Sequence, residues 1–147
     1  MMNARDILKS KNIKTTYCVQ PTTKVLDALQ LMAEKSVGAL LVLEKNRLLG
    51  IVTERDYARK VVLMARSSHS ATVSEIMSSI VAVVDPDQTI EQCMELMTEH
   101  RLRHLPVMDE GRMLGLISIG DIVKNIIRDQ EHTIHHLEQY IRGETIY

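Results

Sequence analysis

Apolar residues recur at i, i+3, i+4 and i+7 in two places, Val25, Ala28, Leu29 and Met32, then Ile90, Cys93, Met94 and Met97. Each set predicts a helix with one apolar stripe. Behind each stripe comes a short apolar run, 39–43 or 105–108, then a polar turn, Glu44-Lys45-Asn46-Arg47 or Asp109-Glu110-Gly111-Arg112, then a second run, 48–52 or 113–117. That order predicts two strands joined as a hairpin, and strands so continuously apolar are expected to be covered on both faces. A further helix is entered at Thr53 or Ser118 and carries Ala58, Val61 and Val62, or Ile122, Val123, Ile126 and Ile127. Ahead of each stripe a short β-prone stretch, 17–19 or 81–84, closes at Pro21 or Pro86, which cannot continue a central strand.

The two strings are copies. At an offset of 65 residues the 43 positions from 19 to 61 align without a gap, and eleven are identical, among them Pro21/Pro86, Met32/Met97, Leu40/Leu105, Gly50/Gly115 and Asp56/Asp121. Unrelated segments of average composition share only about two or three. The unit is β-α-β-β-α. Two of them, related by a pseudo-twofold, give an α+β fold of two small sheets packed together with helices outside. A unit of about sixty residues buries too little to stand well alone, so the copies are expected to form one module. The expected divisions are 1–66 for the first copy with an N-terminal lead-in, 67–128 for the second, and 129–147 for a helical tail with periodicity at Ile134, Leu137, Glu138 and Ile141. Residues 4–8 (ARDIL) and 72–77 (TVSEIM) read as matching lead-in turns.

Charge and composition narrow the function. Eighteen Lys and Arg against nineteen Asp and Glu leave a net charge of -1, with no global basic field for nucleic acid or an anionic membrane. Trp and Phe are absent and Tyr numbers four, so single-stranded nucleic acid lacks its stacking platform. The basic residues Arg5, Lys9, Lys11 and Lys14 bring no recognition helix with them. The apolar runs fall far short of a membrane span and MMNARDILKSKN holds no apolar targeting region, so a soluble, cytoplasmic protein is expected. Cys18 and Cys93 sit in apolar stretches without a C-x-x-C partner and read as reduced core residues. No G-x-S-x-G, H-E-x-x-H, Walker loop or Cys-His constellation is present, so no enzyme activity is expected. His132, His135 and His136 share a helical face at a spacing that can hold Zn²⁺ or Ni²⁺, but no Asp or Cys completes the set and no metal is expected.

Three stretches carry a resemblance: Gly50-Ile51-Val52-Thr53-Glu54-Arg55-Asp56, Gly115-Leu116-Ile117-Ser118-Ile119-Gly120-Asp121, and Arg103-His104-Leu105-Pro106-Val107. They are similar to the closing motif and preceding strand of a cystathionine-beta-synthase (CBS) domain. One T-x-x-D is weak; two in the same register of a repeat are strong. Over nearly all its length the chain resembles a free-standing tandem CBS pair, a Bateman module. The first copy departs from the fuller pattern in having Leu41 where Pro is expected. The resemblance implies an adenosine ligand, AMP foremost, or ADP, ATP, NAD(H) or S-adenosylmethionine, held in clefts between the copies. It further implies a role as an energy or metabolite sensor, a disc-like homodimer of two pairs, and a regulated protein that is a separate molecule. The alternative is a ligand-free dimerisation and interaction module.

An adenosine phosphate presents two ribose hydroxyls, a flat apolar base and a charged tail. Asp56 and Asp121 can each take both hydroxyls with one carboxylate, and Thr53 and Ser118 stand where hydroxyls and free N–H groups at a helix start can face a phosphate. The same spacing is also a capping box, in which the acid folds back on the cap N–H. The motif alone leaves both readings open; Thr72/Glu75 and Asn3/Asp6 read as caps only. The base is expected against Tyr17, Gly38, Ala39 and Leu40 on one side and Ala82, Leu105 and Pro106 on the other, with Leu40 and Leu105 read as core in preference to direct contact; Thr16 and Val81 are further ligand-binding candidates. Arg55, Arg103 and His104, which differ between the copies, are candidates for phosphate contact, with Lys14 more distant; the alternative for each Arg is a solvated surface.

Overall fold

Both stripes are helices and both hairpins turn where the polar residues fall. The computed structural model describes residues 2–11, 17–63, 69–80 and 82–143. In chain order the elements are α1 (Ala4–Ser10), β1 (Cys18–Val19), α2 (Val25–Lys35), β2 (Ala39–Glu44), β3 (Arg47–Thr53), α3 (Glu54–Tyr57), which runs into a π turn (Ala58–Val62), α4 (Val73–Ile76), β4 (Ser78–Ser79), α5 (Ile90–His100), β5 (His104–Asp109), β6 (Arg112–Ser118) and α6 (Ile119–Ile141). The fold is mixed α+β with two small sheets.

The chain divides into two compact units, Thr15–Val81 and Met1–Lys14 with Ala82–Tyr147. In the first, the strand order is β1-β2-β3-β4, with β1 parallel to β2 and the other pairs antiparallel. Leu40, Leu41 and Val42 are fully buried on successive positions, so β2 is covered on both faces, and Val25, Ala28 and Met32 of α2 and Val52 of β3 share its core. In the second unit β5 pairs antiparallel with β6, and Val84 bridges parallel to Val107, the place β1 takes in the other unit. Its core joins Ile90, Cys93 and Met97 of α5 to Leu105, Val107, Ile117 and Ile122.

The duplication extends to backbone irregularities. A register shift between Val42 and Leu43 recurs between Val107 and Met108. Both stripe helices end in left-handed residues, Ser36 and Arg101, and both hairpins turn on two positive-φ residues, Lys45-Asn46 and Glu110-Gly111, the geometry that two-residue hairpins favour.

The lead-ins are exchanged. Ala4 and Arg5 donate backbone hydrogen bonds to Gln88 and Pro86, and Ile90 donates to Met2, while Val73 and Ser74 donate to Thr23 and Pro21, and Val25 to Ala71. The two sets correspond bond for bond. Ile7 and Ile76 are buried in the two cores. Residues 2–11 therefore belong in space with the second copy, whereas the expected division after residue 66, which follows chain order, places them with the first. The tail is not a separate element either: α6 runs unbroken from Ile119 to Ile141 across position 128.

Candidate functional site

Each hairpin's second strand ends at a hydroxyl residue that caps the following helix, and the acid three residues on completes the corner. At the first corner Asp56 Oδ2 accepts from the Thr53 N–H at 2.9 Å and from Thr53 Oγ1 at 3.1 Å, while the Asp56 N–H donates to Thr53 Oγ1 at 3.1 Å. At the second, Asp121 Oδ2 accepts from the Ser118 N–H at 2.8 Å, and the Asp121 N–H donates to Ser118 Oγ at 3.1 Å. The capping box is thus formed at both corners. The first helical amide is occupied as well: Glu54 N–H donates to Gly38 O and Ile119 N–H to Arg103 O. The sequence expectation of free N–H groups facing a phosphate does not hold for the first and third residues of either helix.

The second carboxylate oxygens are less committed. Asp56 Oδ1 meets Ser78 Oγ and Lys60 Nζ, both at 3.4 Å. Among the described residues nothing donates to Asp121 Oδ1. Lysines accompany both acids: Lys60, one helical turn beyond Asp56, also donates to Ile76 O at 2.9 Å, and Lys11 reaches Asp121 Oδ2 at 3.0 Å while donating to Leu116 O at 2.6 Å. Sequence reasoning missed both in this role. The i+4 spacing from Asp56 signals Lys60; Lys11, 110 positions from Asp121, leaves no local signal.

Electrostatics separate the second corner's groups. Burial raises the Asp121 carboxyl, but hydrogen bonds from the Ser118 backbone and from Lys11 outweigh it and leave the group below the ordinary carboxylate value. Burial lowers the His104 imidazole, Lys11 and Arg103 add to that, and Asp121 only opposes it, so the ring is neutral at neutral pH. Arg103 and Arg55 are exposed.

The second corner brings together Ser118, Asp121 and His104, whose strand position faces Ser118, with Lys11 and the Arg103 carbonyl. The first brings together Gly38, Ala39, which faces Thr53, and Asp56 with Lys60. Leu40 and Leu105 are 0% exposed and belong to the cores, so burial decides for the second of their two readings. Tyr17 packs on the core of its unit with Lys35 Nζ 5.5 Å above its ring. Ala82 packs on the other core, and buried Pro106 accepts from the Val84 N–H. Thr16, Val81 and Lys14 lie outside the described residues. Burial pushes the thiol pKa of both Cys18 and Cys93 up; Cys93 lies in the core of its unit, whereas Cys18 is half-buried and outside the core clusters. The His132 and His136 rings lie against each other, tilted by 53° with centroids 4.0 Å apart. Among the described residues no three His, Cys, Asp or Glu side chains cluster as a metal site, and no helix is long and apolar enough to cross a membrane.

The family model for the CBS domain matches twice, over residues 4–63 and 73–128. The chain belongs to the CBS-domain family. Among curated relatives, the mitochondrial CBS domain-containing protein CBSX3 of Arabidopsis thaliana is 37% identical over 147 residues, covering 94% of this chain and 71% of the relative. Among solved structures, a CBS-domain protein of Burkholderia ambifaria described as a signal-transduction protein is 55% identical with a TM-score of 0.84, over 88% of this chain and 96% of its own. A hexameric CBS-CP12 protein from bloom-forming cyanobacteria is 31% identical with a TM-score of 0.74, over 84% and 70%. The tandem CBS pair read from the repeat is what the two family matches show. CBS domains are in general regulatory modules that bind adenosine ligands.

Proposed function

We propose that this CBS pair is a sensor that binds an adenosine nucleotide, AMP foremost, and passes its state to a separate protein in the cytoplasm. The observation that carries the reading is the equivalence of the two corners: in each, a carboxylate uses Oδ2 for the helix cap, keeps capacity on Oδ1, and has a lysine ammonium within 3.4 Å. A ribose diol asks for a carboxylate acceptor, and a phosphate asks for a cation beside it. A diol held at Oδ1 leaves the cap intact. Lys11 or Lys60, with exposed Arg103 or Arg55, supplies the phosphate's countercharge. AMP, ADP, ATP, NAD(H) and S-adenosylmethionine share the adenosine that these groups read. The balanced charge supports neither nucleic acid nor membrane as partner.

One observation favours a ligand-free interaction module instead: among the described residues no buried side-chain nitrogen or oxygen lacks a hydrogen-bond partner, so no fully buried polar atom waits for a ligand. Thermal denaturation across a nucleotide panel separates the two. A ligand at a hundred times its dissociation constant stabilises the folded state by about 2.7 kcal/mol, so a raised melting temperature with AMP, or a nucleotide released from the denatured protein and identified by mass spectrometry, supports the sensor. An unchanged melting curve with every nucleotide, and none released, supports the interaction module.

A further inference from the structure

α6 has two apolar faces. Ile122 and Asn125 are buried and Ile126 packs on the core of its unit. Away from that face, Val123, Ile127, Gln130, Ile134, Leu137 and Ile141 follow one another at alternating steps of four and three residues. That is heptad spacing, with Ile127, Ile134 and Ile141 at the a positions and Val123, Gln130 and Leu137 at d. The five apolar members are 46% to 81% exposed. A helix with an exposed apolar stripe of this length needs a partner to cover it.

We infer that this seam pairs with the same seam of a second copy as a parallel, in-register, two-stranded coiled coil. Ile at every a position with Leu137 at d favours two strands. Gln130 sets the direction, as the one polar member of the seam. In register and parallel it meets Gln130 of the partner subunit, and two carboxamides each offer a donor and an acceptor. Antiparallel packing sets it against Ile134 of the partner subunit, which leaves a buried amide unpaired. The flanking charges agree. On one flank stand uncharged Ile126, Thr133 and Tyr140, on the other Lys124, Glu131 and Glu138. Parallel helices place the uncharged flank of one against the charged flank of the other, whereas antiparallel packing brings Glu131 against the partner's Glu131. So short a seam is marginal for isolated peptides, but α6 is already nucleated by the Ser118 cap and anchored by Ile122. No residue of either carboxylate corner lies on the seam, so the pairing stands independently of the nucleotide reading.

The test uses the full chain. Under mild oxidation Leu137→Cys is expected to form a disulfide-linked dimer at least about tenfold faster than His132→Cys on the outer face, and faster than the parent chain with its own two cysteines, because only the seam brings equivalent positions within disulfide reach. Ile134→Glu with Leu137→Glu is expected to raise the dimer dissociation constant about tenfold or more in sedimentation, since it sets like charges against each other across the seam; circular dichroism checks that the helix persists, and the cysteine result stands alone if it does not. Cross-linking no faster than the controls, a dissociation constant unchanged by the double substitution, or a parent chain that sediments as a monomer, trimer or hexamer overturns the inference.

Discussion

Lys11 Nζ stands 3.0 Å from Asp121 Oδ2 and donates to the Leu116 carbonyl at 2.6 Å. A residue that follows the first helix thereby clamps the strand-to-helix corner of the second repeat. The corner of the first repeat uses a lysine from the helical segment it starts, Lys60, at 3.4 Å from Asp56. The position equivalent to Lys60 is Asn125, which donates to the Asp121 carbonyl instead. Two copies of one repeat thus reach the same charge pairing from different parts of the chain.

Removing the two lysines separates their contributions. The Lys11 side chain is 24% exposed and Lys60 41%. Lys11→Met leaves a part-buried carboxylate and the Leu116 carbonyl without their donor and is expected to cost about 1–3 kcal/mol in urea denaturation. Lys60→Met, in wetter surroundings, is expected to cost under about 1 kcal/mol. Equal losses from the two, or none from Lys11→Met, contradict the clamp.

Stability depends on pH through two groups of the second corner. Asp121 has its folded value lowered below the ordinary 3.8, so its contribution is fully present above that value and is lost as pH falls through the lower folded value. His104 is also lowered, from 6.5, and for a base the consequence is a penalty. Below about pH 6.5 the unfolded chain binds a proton that the folded chain refuses, so stability falls with pH until the folded value is reached. Urea midpoints measured from pH 8 to 5 are expected to decline below pH 6.5 in the parent and to flatten in His104→Gln. A decline of the same size in both assigns the effect to other groups.

The repeat, the helices, the hairpins and the pairing of each acid with a hydroxyl residue three positions earlier were legible because each writes a local pattern: a period of 3.6, a polar turn, a three-residue spacing; the spacing left open whether the acid caps or binds. The same offset that aligned Asp56 with Asp121 also aligned the register shifts at Val42 and Val107. What stayed hidden depends on partners distant in the chain. The exchange of lead-ins rests on bonds such as Ala4 N–H to Gln88 O, and the Lys11 clamp on a contact across 110 positions; neither leaves a period. Apolarity likewise gave no way to tell a strand residue facing a ligand from one facing the core, which is why Leu40 and Leu105 carried both readings until their burial was known.

Gly50, whose counterpart in the second copy is also a glycine, Gly115, marks a close backbone approach. A Cβ on residue 50 stands 2.6 Å from the Ser78 carbonyl oxygen and 3.1 Å from Met77 Sδ. Backbone must move to admit it, and that movement disturbs the pairing of Gly50 with Ser79. Gly50→Ala is expected to destabilise the protein by about 1–3 kcal/mol in urea denaturation. A neutral result shows that β4 shifts freely against β3.

The central claim is that the Asp56 and Asp121 carboxylates hold an adenosine ligand while capping their helices. Titration calorimetry of AMP into the parent chain, Asp56→Asn, Asp121→Asn and the double variant tests it most directly, because Asn keeps an acceptor for the cap and removes the charge. Losing a charge-assisted hydrogen bond is expected to weaken binding about ten- to hundredfold in a single variant, with no binding detectable in the double. A double variant that binds AMP as tightly as the parent contradicts the claim.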